Sequence, residues 1–257
     1  MRILVTFALE AEFAPWRKLR DFHRRTWGRA EVCAAQISGA EIGVVLTGIG
    51  PRQAALAVSR VLAAEQDSLK FCVSSGVAGA LRPEYKIGQV LAAASVSGSP
   101  AKRVLESSAP LISFAAELGA TPVGRFLTAE HVIVRAEEKH YLGREADAVD
   151  MESFEILRKC AECGIPAAAI RAVSDTAEQE LPLDMDRILD RHGQLSLPRV
   201  MGQVVLHPRS LPGLVNFGQR SRRAAGSVTR FLDRYLAFVA ERARNLEGQV
   251  SLAAAYE

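Results

Sequence analysis

The sequence predicts an α/β fold built on a buried mixed sheet, and three observations carry that expectation. Short runs rich in Val, Ile, Leu and Ala alternate with segments of helical period. Two strand-like runs are separated only by Gly39-Ala40, as in an antiparallel hairpin, so the sheet should be mixed rather than purely parallel. The small apolar run Ala167-Ala168-Ala169-Ile170, entered through Gly164-Ile165-Pro166, reads as a strand of a buried sheet. At 257 residues, one domain is the expected organisation.

Taken in order, Arg2 to Phe7 is the first strand and Glu10 to Leu19 the first helix. Strands at Glu31 to Ser38 and Glu41 to Leu46 form the hairpin, and Pro51 suits the first turn of a helix reaching Ala64. Strands at Phe71 to Ser74 and Gln89 to Ala94 precede a helix at Leu111 to Leu118. A further helix, Ser153 to Cys163, leads into the strand Ala167 to Val173. From Glu180 to Asn216 the pattern breaks up around Pro182, Pro198, Pro208 and Pro212, and reads as a lid-like insertion. In the last helix, Ser221 to Ala243, Val228, Phe231, Leu232, Tyr235, Phe238 and Val239 recur at helical spacing and mark one packing face.

Composition narrows the function classes. No uninterrupted apolar run approaches the roughly 20 residues that cross a bilayer, and Glu10 and Glu12 arrive too early for a signal peptide, so a soluble cytoplasmic enzyme is expected. Cys33 and Cys72 lie in strand-like runs, and the lone Cys160-Ala161-Glu162-Cys163 lacks a second ligand pair. Buried thiols are therefore expected rather than zinc, and neither metal nor cofactor is called for. The net charge is +3, yet Arg199 to Arg244 carries nine arginines against Asp233 and Glu241. Such a tail is either a solvated helix face or a contact for phosphate or an anionic membrane surface. Nucleic acid is disfavoured, because neither an aromatic-rich RNA motif nor zinc-finger spacing accompanies it.

Chemistry concentrates where strands end, the place where open α/β sheets hold ligands. Glu12 follows the first strand in Ala8-Leu9-Glu10-Ala11-Glu12; it is either a dipole-complementing acid in a first helical turn or a carboxylate facing a cleft that can orient or deprotonate water. The glycine-bearing turns Thr47-Gly48-Ile49-Gly50-Pro51-Arg52 and Ser74-Ser75-Gly76-Val77-Ala78-Gly79 follow strands. Their amides either allow close backbone packing or hold phosphate or sugar oxygens. Neither is a Walker loop or a full dinucleotide fingerprint. Glu152 in Val149-Asp150-Met151-Glu152-Ser153 and Asp175 in Arg171-Ala172-Val173-Ser174-Asp175 each permit a helix-start reading. Together with Arg171, a guanidinium that needs a carboxylate partner when buried, they favour acid-base chemistry.

These motifs, with Lys86-Ile87-Gly88-Gln89-Val90, occur in one order and resemble the nucleoside phosphorylase and methylthioadenosine/adenosylhomocysteine nucleosidase superfamily across residues 1 to about 180. The resemblance implies a three-layer αβα sandwich with a central twisted mixed sheet, and cleavage of a purine nucleoside at its N-glycosidic bond. It implies that Asp175 protonates the leaving base at N7 with support from Ser174, that Glu152 binds ribose hydroxyls and that Met151 lies against the sugar. Glu12 would activate water in the hydrolytic branch, with Arg171 nearby. Cleavage passes through an oxocarbenium-like state, so an acid must neutralise the departing base while anionic groups stabilise the sugar. Asp175 then has to carry a proton at neutral pH, which a partly desolvated cleft favours.

Two departures bear on the substrate. Val77 stands where the nucleosidases usually carry Ser, and Val132 aligns with a position that is usually aromatic, which together make the pocket more apolar. With Asp175-Thr176-Ala177-Glu178, Leu181-Pro182 and the basic tail, the chain is most similar to the hopanoid-associated phosphorylase-like branch. That similarity implies removal of adenine from a nucleoside such as adenosylhopane, bearing a large lipid on the ribose 5′ carbon, and a tail that touches the inner face of the membrane. Gly48, Gly50 and Arg52, with Ser75 and Gly76, are the candidate phosphate donors for a phosphorylase. Glu12 at that place favours water, since an unpaired carboxylate repels bound phosphate by about a kcal/mol or more at close range. Resemblance to oligomeric relatives implies a homo-oligomer. A non-catalytic nucleoside- or lipid-binding protein on the same scaffold is the alternative of another class, and the joint presence of Glu12, Glu152 and Asp175 speaks against it.

Overall fold

The computed structural model describes residues 1–98, 103–181 and 211–254. In chain order the elements are β1 (Arg2–Phe7), α1 (Glu10–Arg17), β2 (His23–Trp27), β3 (Ala30–Ile37), β4 (Ala40–Leu46), α2 (Pro51–Glu65), β5 (Leu69–Ala80), β6 (Val90–Gly98) and β7 (Val104–Glu106). There follow α3 (Ala109–Glu117), β8 (Thr121–Thr128), α4 (Ala136–Leu142), β9 (Ala148–Asp150), α5 (Ser153–Glu162), β10 (Ala167–Asp175) and α6 (Leu211–Ala254).

The strands form one mixed sheet in the order β10-β6-β8-β9-β5-β1-β4-β3-β2, with β7 on β6. β10 also pairs with β5, so that end of the sheet closes on itself through β5, β9, β8, β6 and β10. β1 is parallel to both β4 and β5, whereas β3 and β4 are antiparallel. Their hairpin turns at Ser38 and Gly39, both with positive φ (45° and 76°), which is the backbone that matches strand twist in two-residue hairpins.

Helices cover both faces, giving the expected αβα sandwich. Side chains of a strand alternate between faces. Leu4 of β1 therefore packs with Ala54, Val58 and Val61 of α2 and Ile156, Leu157 and Cys160 of α5, while Ile3, Val5 and Phe7 pack with Phe13 and Trp16 of α1, Leu111 of α3 and the apolar face of α6. That face includes Val228, Phe231, Leu232, Tyr235 and Val239, all buried. Tyr235 donates its hydroxyl to the Leu111 carbonyl at 3.1 Å, which ties α6 to α3. Among the described residues no helix is long and apolar enough to cross a membrane.

Several expectations need adjusting. The stretch Ser75 to Gly79 is strand rather than turn: β5 continues to Ala80, because small residues let β10 run beside it in parallel. The expected strand at Phe71 to Ser74 is the middle of β5, which extends from Leu69 to Ala80. Residues 211 onward of the expected lid-like stretch belong to α6, and residues 182–210 of that stretch lie outside the described residues. Strands β2, β7, β8 and β9 and helix α4 are additions. β2 bears His23, Arg24 and Arg25 on exposed positions of an edge strand, where charge blocks edge-to-edge pairing. Part of the basic tail is engaged within the fold: Arg242 pairs with Glu117 at 3.1 Å and lies over the Phe114 and Phe238 rings. All four cysteines are free.

Candidate active site

The site is assembled along β5: its Ser74 lies beside the end of β1, its Gly76 beside Arg171 of β10, and its Gly79 beside Asp175 at the end of β10. Glu12, in the first turn of α1, is 7% exposed. Its Oε2 accepts the amides of Ala8 at 2.9 Å and Leu9 at 3.0 Å, and its Oε1 accepts the amide of Val77 at 3.0 Å. The carboxylate thus complements the start of its own helix, which is one of the two readings open in the sequence, and it also reaches across to β5. Gly76 makes that reach possible. Its φ is 136°, and a Cβ there would lie 2.8 Å from Glu12 Oε1 and 3.1 Å from Arg171 Nη1. Burial raises the Glu12 pKa, with the Arg171 charge and the three amides opposing it.

Arg171, on β10 and 2% exposed, is the cation of this cluster. Its Nε lies 2.8 Å from Asp150 Oδ2 and donates to Ser153 Oγ at 3.2 Å. Its Nη2 donates to Glu152 Oε2 at 3.1 Å and Ser74 Oγ at 3.4 Å, while Nη1 donates to the Val77 carbonyl at 3.1 Å. Burying a guanidinium is tolerable only with such partners.

Glu152 occupies the N-cap position of α5 and accepts the Gly50 amide at 3.0 Å through Oε1. Burial pushes its pKa up to about 7; Arg171 pulls it down, and the neighbouring Asp150 charge raises it further. Asp150 is a functional residue that sequence reasoning misses. Its Oδ1 accepts from Thr128 Oγ1 at 2.7 Å and from the amides of Glu152 and Ser153, both at 3.1 Å. It therefore shapes the turn that presents Glu152 and holds Arg171 from behind.

Asp175 closes β10, 4% exposed. Its Oδ1 accepts from Ser174 Oγ at 2.6 Å, and Ser174 Oγ also lies 3.2 Å from the Ala78 carbonyl. Its Oδ2 is paired with Lys139 of α4, which is fully buried. Asp175 is thus buried against a counter-charge, Lys139, that the sequence reading misses. The stretch Ala136-Glu137-Glu138-Lys139-His140 resembles a solvated charged face, and nothing local in it marks Lys139 as the one turned inward.

The remaining expected residues divide. Ser75 Oγ is buried without a hydrogen-bond partner among the described residues. Met151, Val77 and Val132 are half-buried, Val132 in the connection between β8 and α4. Among the proposed phosphate donors, the Gly48 amide already donates to the Ala8 carbonyl at 3.0 Å and the Gly50 amide to Glu152, whereas Arg52 is exposed.

Comparison with solved structures finds the same fold. A mutant of the Helicobacter pylori 5′-methylthioadenosine/S-adenosylhomocysteine nucleosidase with 5′-methylthioadenosine in its active site is 19% identical, with a TM-score of 0.70 over 91% of this chain and 97% of that one. The Neisseria meningitidis nucleosidase in complex with methylthio-immucillin-A is 18% identical, with a TM-score of 0.70 over 92% and 98%. Native futalosine hydrolase of Helicobacter pylori is 20% identical, with a TM-score of 0.70 over 92% and 97%. The family model of the phosphorylase superfamily matches residues 2–195, a stretch that contains every carboxylate of the cluster, and the chain belongs to that superfamily.

Proposed function

We propose that this protein is a nucleosidase that hydrolyses the N-glycosidic bond of an adenine nucleoside carrying an apolar 5′ substituent. The observation that carries the reading is the placing of Glu12, Glu152 and Asp175 around β5, with the buried Arg171 guanidinium bonded to Glu152 and its charge attracting Glu12. As the C1′–N9 bond breaks, its electron pair passes to the base and Asp175 delivers a proton to N7. Glu152 accepts hydrogen bonds from the ribose hydroxyls. The negative charges of Glu152 and Glu12 favour the cationic sugar. Water then bonds to C1′ and yields its proton to Glu12, a carboxylate whose burial raises its affinity for a proton.

Hydrolysis is favoured over phosphorolysis because the Gly48 and Gly50 amides already have acceptors and a carboxylate stands beside them. The fold relatives named above include nucleosidases and a futalosine hydrolase, in keeping with the same reaction class. Val77 and Val132 support an apolar 5′ group, for which a lipid such as a hopane is the substrate we favour. The test is adenine release from adenosine, 5′-methylthioadenosine and a 5′-alkyl adenosine series, with and without phosphate. Release without phosphate that improves with alkyl length supports the reading. Strict dependence on phosphate overturns hydrolysis, and no release from any member overturns the enzyme reading in favour of a binding protein.

A further inference from the structure

Lys139 lies outside every motif of the chain, yet it is fully buried and its ammonium has three oxygen partners: Asp175 Oδ2, the Thr176 carbonyl at 3.1 Å and the Gln179 carbonyl at 2.8 Å. An ammonium has three protons, so this cage satisfies it completely. The same residues are cinched from within. The Thr176 amide donates to Gln179 Oε1 at 3.1 Å, the Gln179 amide donates to the Thr176 carbonyl at 3.1 Å, and the Leu181 amide donates to the Val134 carbonyl ahead of α4 at 3.1 Å. Lys139 thus fixes both the carboxylate of Asp175 and the backbone that follows it.

The two oxygens of Asp175 are consequently not equivalent. Oδ2 is held between Lys139 and Gly79, where a Cβ would come within 3.0 Å of it. Oδ1 faces Ser174 Oγ, a hydroxyl with a second acceptor in the Ala78 carbonyl. A serine hydroxyl carries one proton and two lone pairs. It can donate to Oδ1 when Asp175 is ionised, or donate to Ala78 and accept from Oδ1 when Asp175 is protonated. A buried ion pair brings little stability over an apolar replacement, so fold stability alone is a weak reason for one here.

The geometry points to Lys139 as a positioning residue for base release: by occupying Oδ2 it makes Oδ1, supported by Ser174, the oxygen that hands the proton to the leaving base. This inference rests on the reading of Asp175 as the proton donor. Lys139 touches neither substrate nor reacting atoms in this scheme, and acts only through Asp175.

The experiment compares wild type with Lys139→Met, Lys139→Arg and Asp175→Asn on two probes. One is the best adenine nucleoside of the panel, and the other is the matching p-nitrophenyl riboside, whose phenolate leaves without a proton. The readout is the ratio of kcat on the adenine nucleoside to kcat on the aryl riboside, which partial unfolding does not move. The ratio is expected to fall about 10- to 100-fold in Lys139→Met, with KM for the nucleoside nearly unchanged, and to recover in part in Lys139→Arg. An unchanged ratio in Lys139→Met, including a parallel loss of both activities, overturns the inference. An unchanged ratio in Asp175→Asn would instead overturn the role of Asp175 itself.

Discussion

Replacing Arg171 by Met tests the electrostatic construction of the site. The substitution keeps an unbranched apolar stem of similar reach and deletes the cation that Asp150 and Glu152 contact at 2.8 and 3.1 Å. Breaking a buried ion pair by removing one partner costs about 3–5 kcal/mol. Here two carboxylates are abandoned in contact and a third, Glu12, loses an attraction that opposed its burial, so the upper part of that range is expected. Against a domain stability of about 5–15 kcal/mol this is a large fraction.

The loss should depend on pH in a definite sense. Glu152 is raised from its ordinary 4.5 to about 7 in the fold, and Glu12 is shifted upward too. Across that interval the folded state holds more protons than the unfolded one, so stability falls as pH rises. Removing Arg171 raises both groups further and extends the decline above neutrality. Urea denaturation followed by circular dichroism at about pH 5 and about pH 8 reads both effects; the deficit of the variant should be greater at the higher pH. A deficit under about 1 kcal/mol, or one equal at the two pH values, would refute the reasoning.

Three further outcomes follow from the same geometry. Glu12→Gln should lower the rate of base release about 10²- to 10⁴-fold while leaving KM nearly unchanged, as steady-state kinetics will show; a change in KM alone would make Glu12 a binding group. Gly76→Ala should remove most activity and lower the melting temperature, because the new methyl meets Glu12 and Arg171 on a strand position with φ of 136°, and a variant as active as wild type would mean that the carboxylate can retreat without consequence. Thr128→Val should cost about 1–3 kcal/mol in denaturant unfolding, since Asp150 loses a donor and the Phe154 amide loses its 2.9 Å acceptor; a neutral substitution would show that Asp150 does not depend on Thr128.

Much of the fold could be read from residue pattern. The β3–β4 hairpin, the Pro51 start of α2 and the apolar face of α6 are local signals, fixed by turn chemistry, by the missing amide of proline and by helical period. What escaped was set by tertiary contact. β9 has three residues and exists because it pairs with β5 and β8, and β8 includes Pro122 and Gly124, which argue against a strand on local grounds. The charged His23-Arg24-Arg25 run makes sense as strand only once β2 is known to be an edge.

The site divides along the same line. Glu12, Glu152, Arg171, Ser174 and Asp175 lie in or beside elements that periodicity locates, so their neighbourhood around β5 is foreseeable. Lys139 and Asp150 act through contacts 36 and 22 residues away in sequence, to Asp175 and Thr128, and a buried ion pair leaves no local trace. The glycine segments show the opposite error. Gly48 and Gly50 resemble phosphate donors in sequence, and the folded chain spends their amides on Ala8 and Glu152.

The central claim is that Asp175 supplies the proton that lets the base leave. Its most direct test is adenine release by wild type and Asp175→Asn in phosphate-free buffer, at equal folded concentration. The wild type should release adenine, and the variant should do so about 10²- to 10⁴-fold more slowly. Equal rates for the two proteins would contradict the claim.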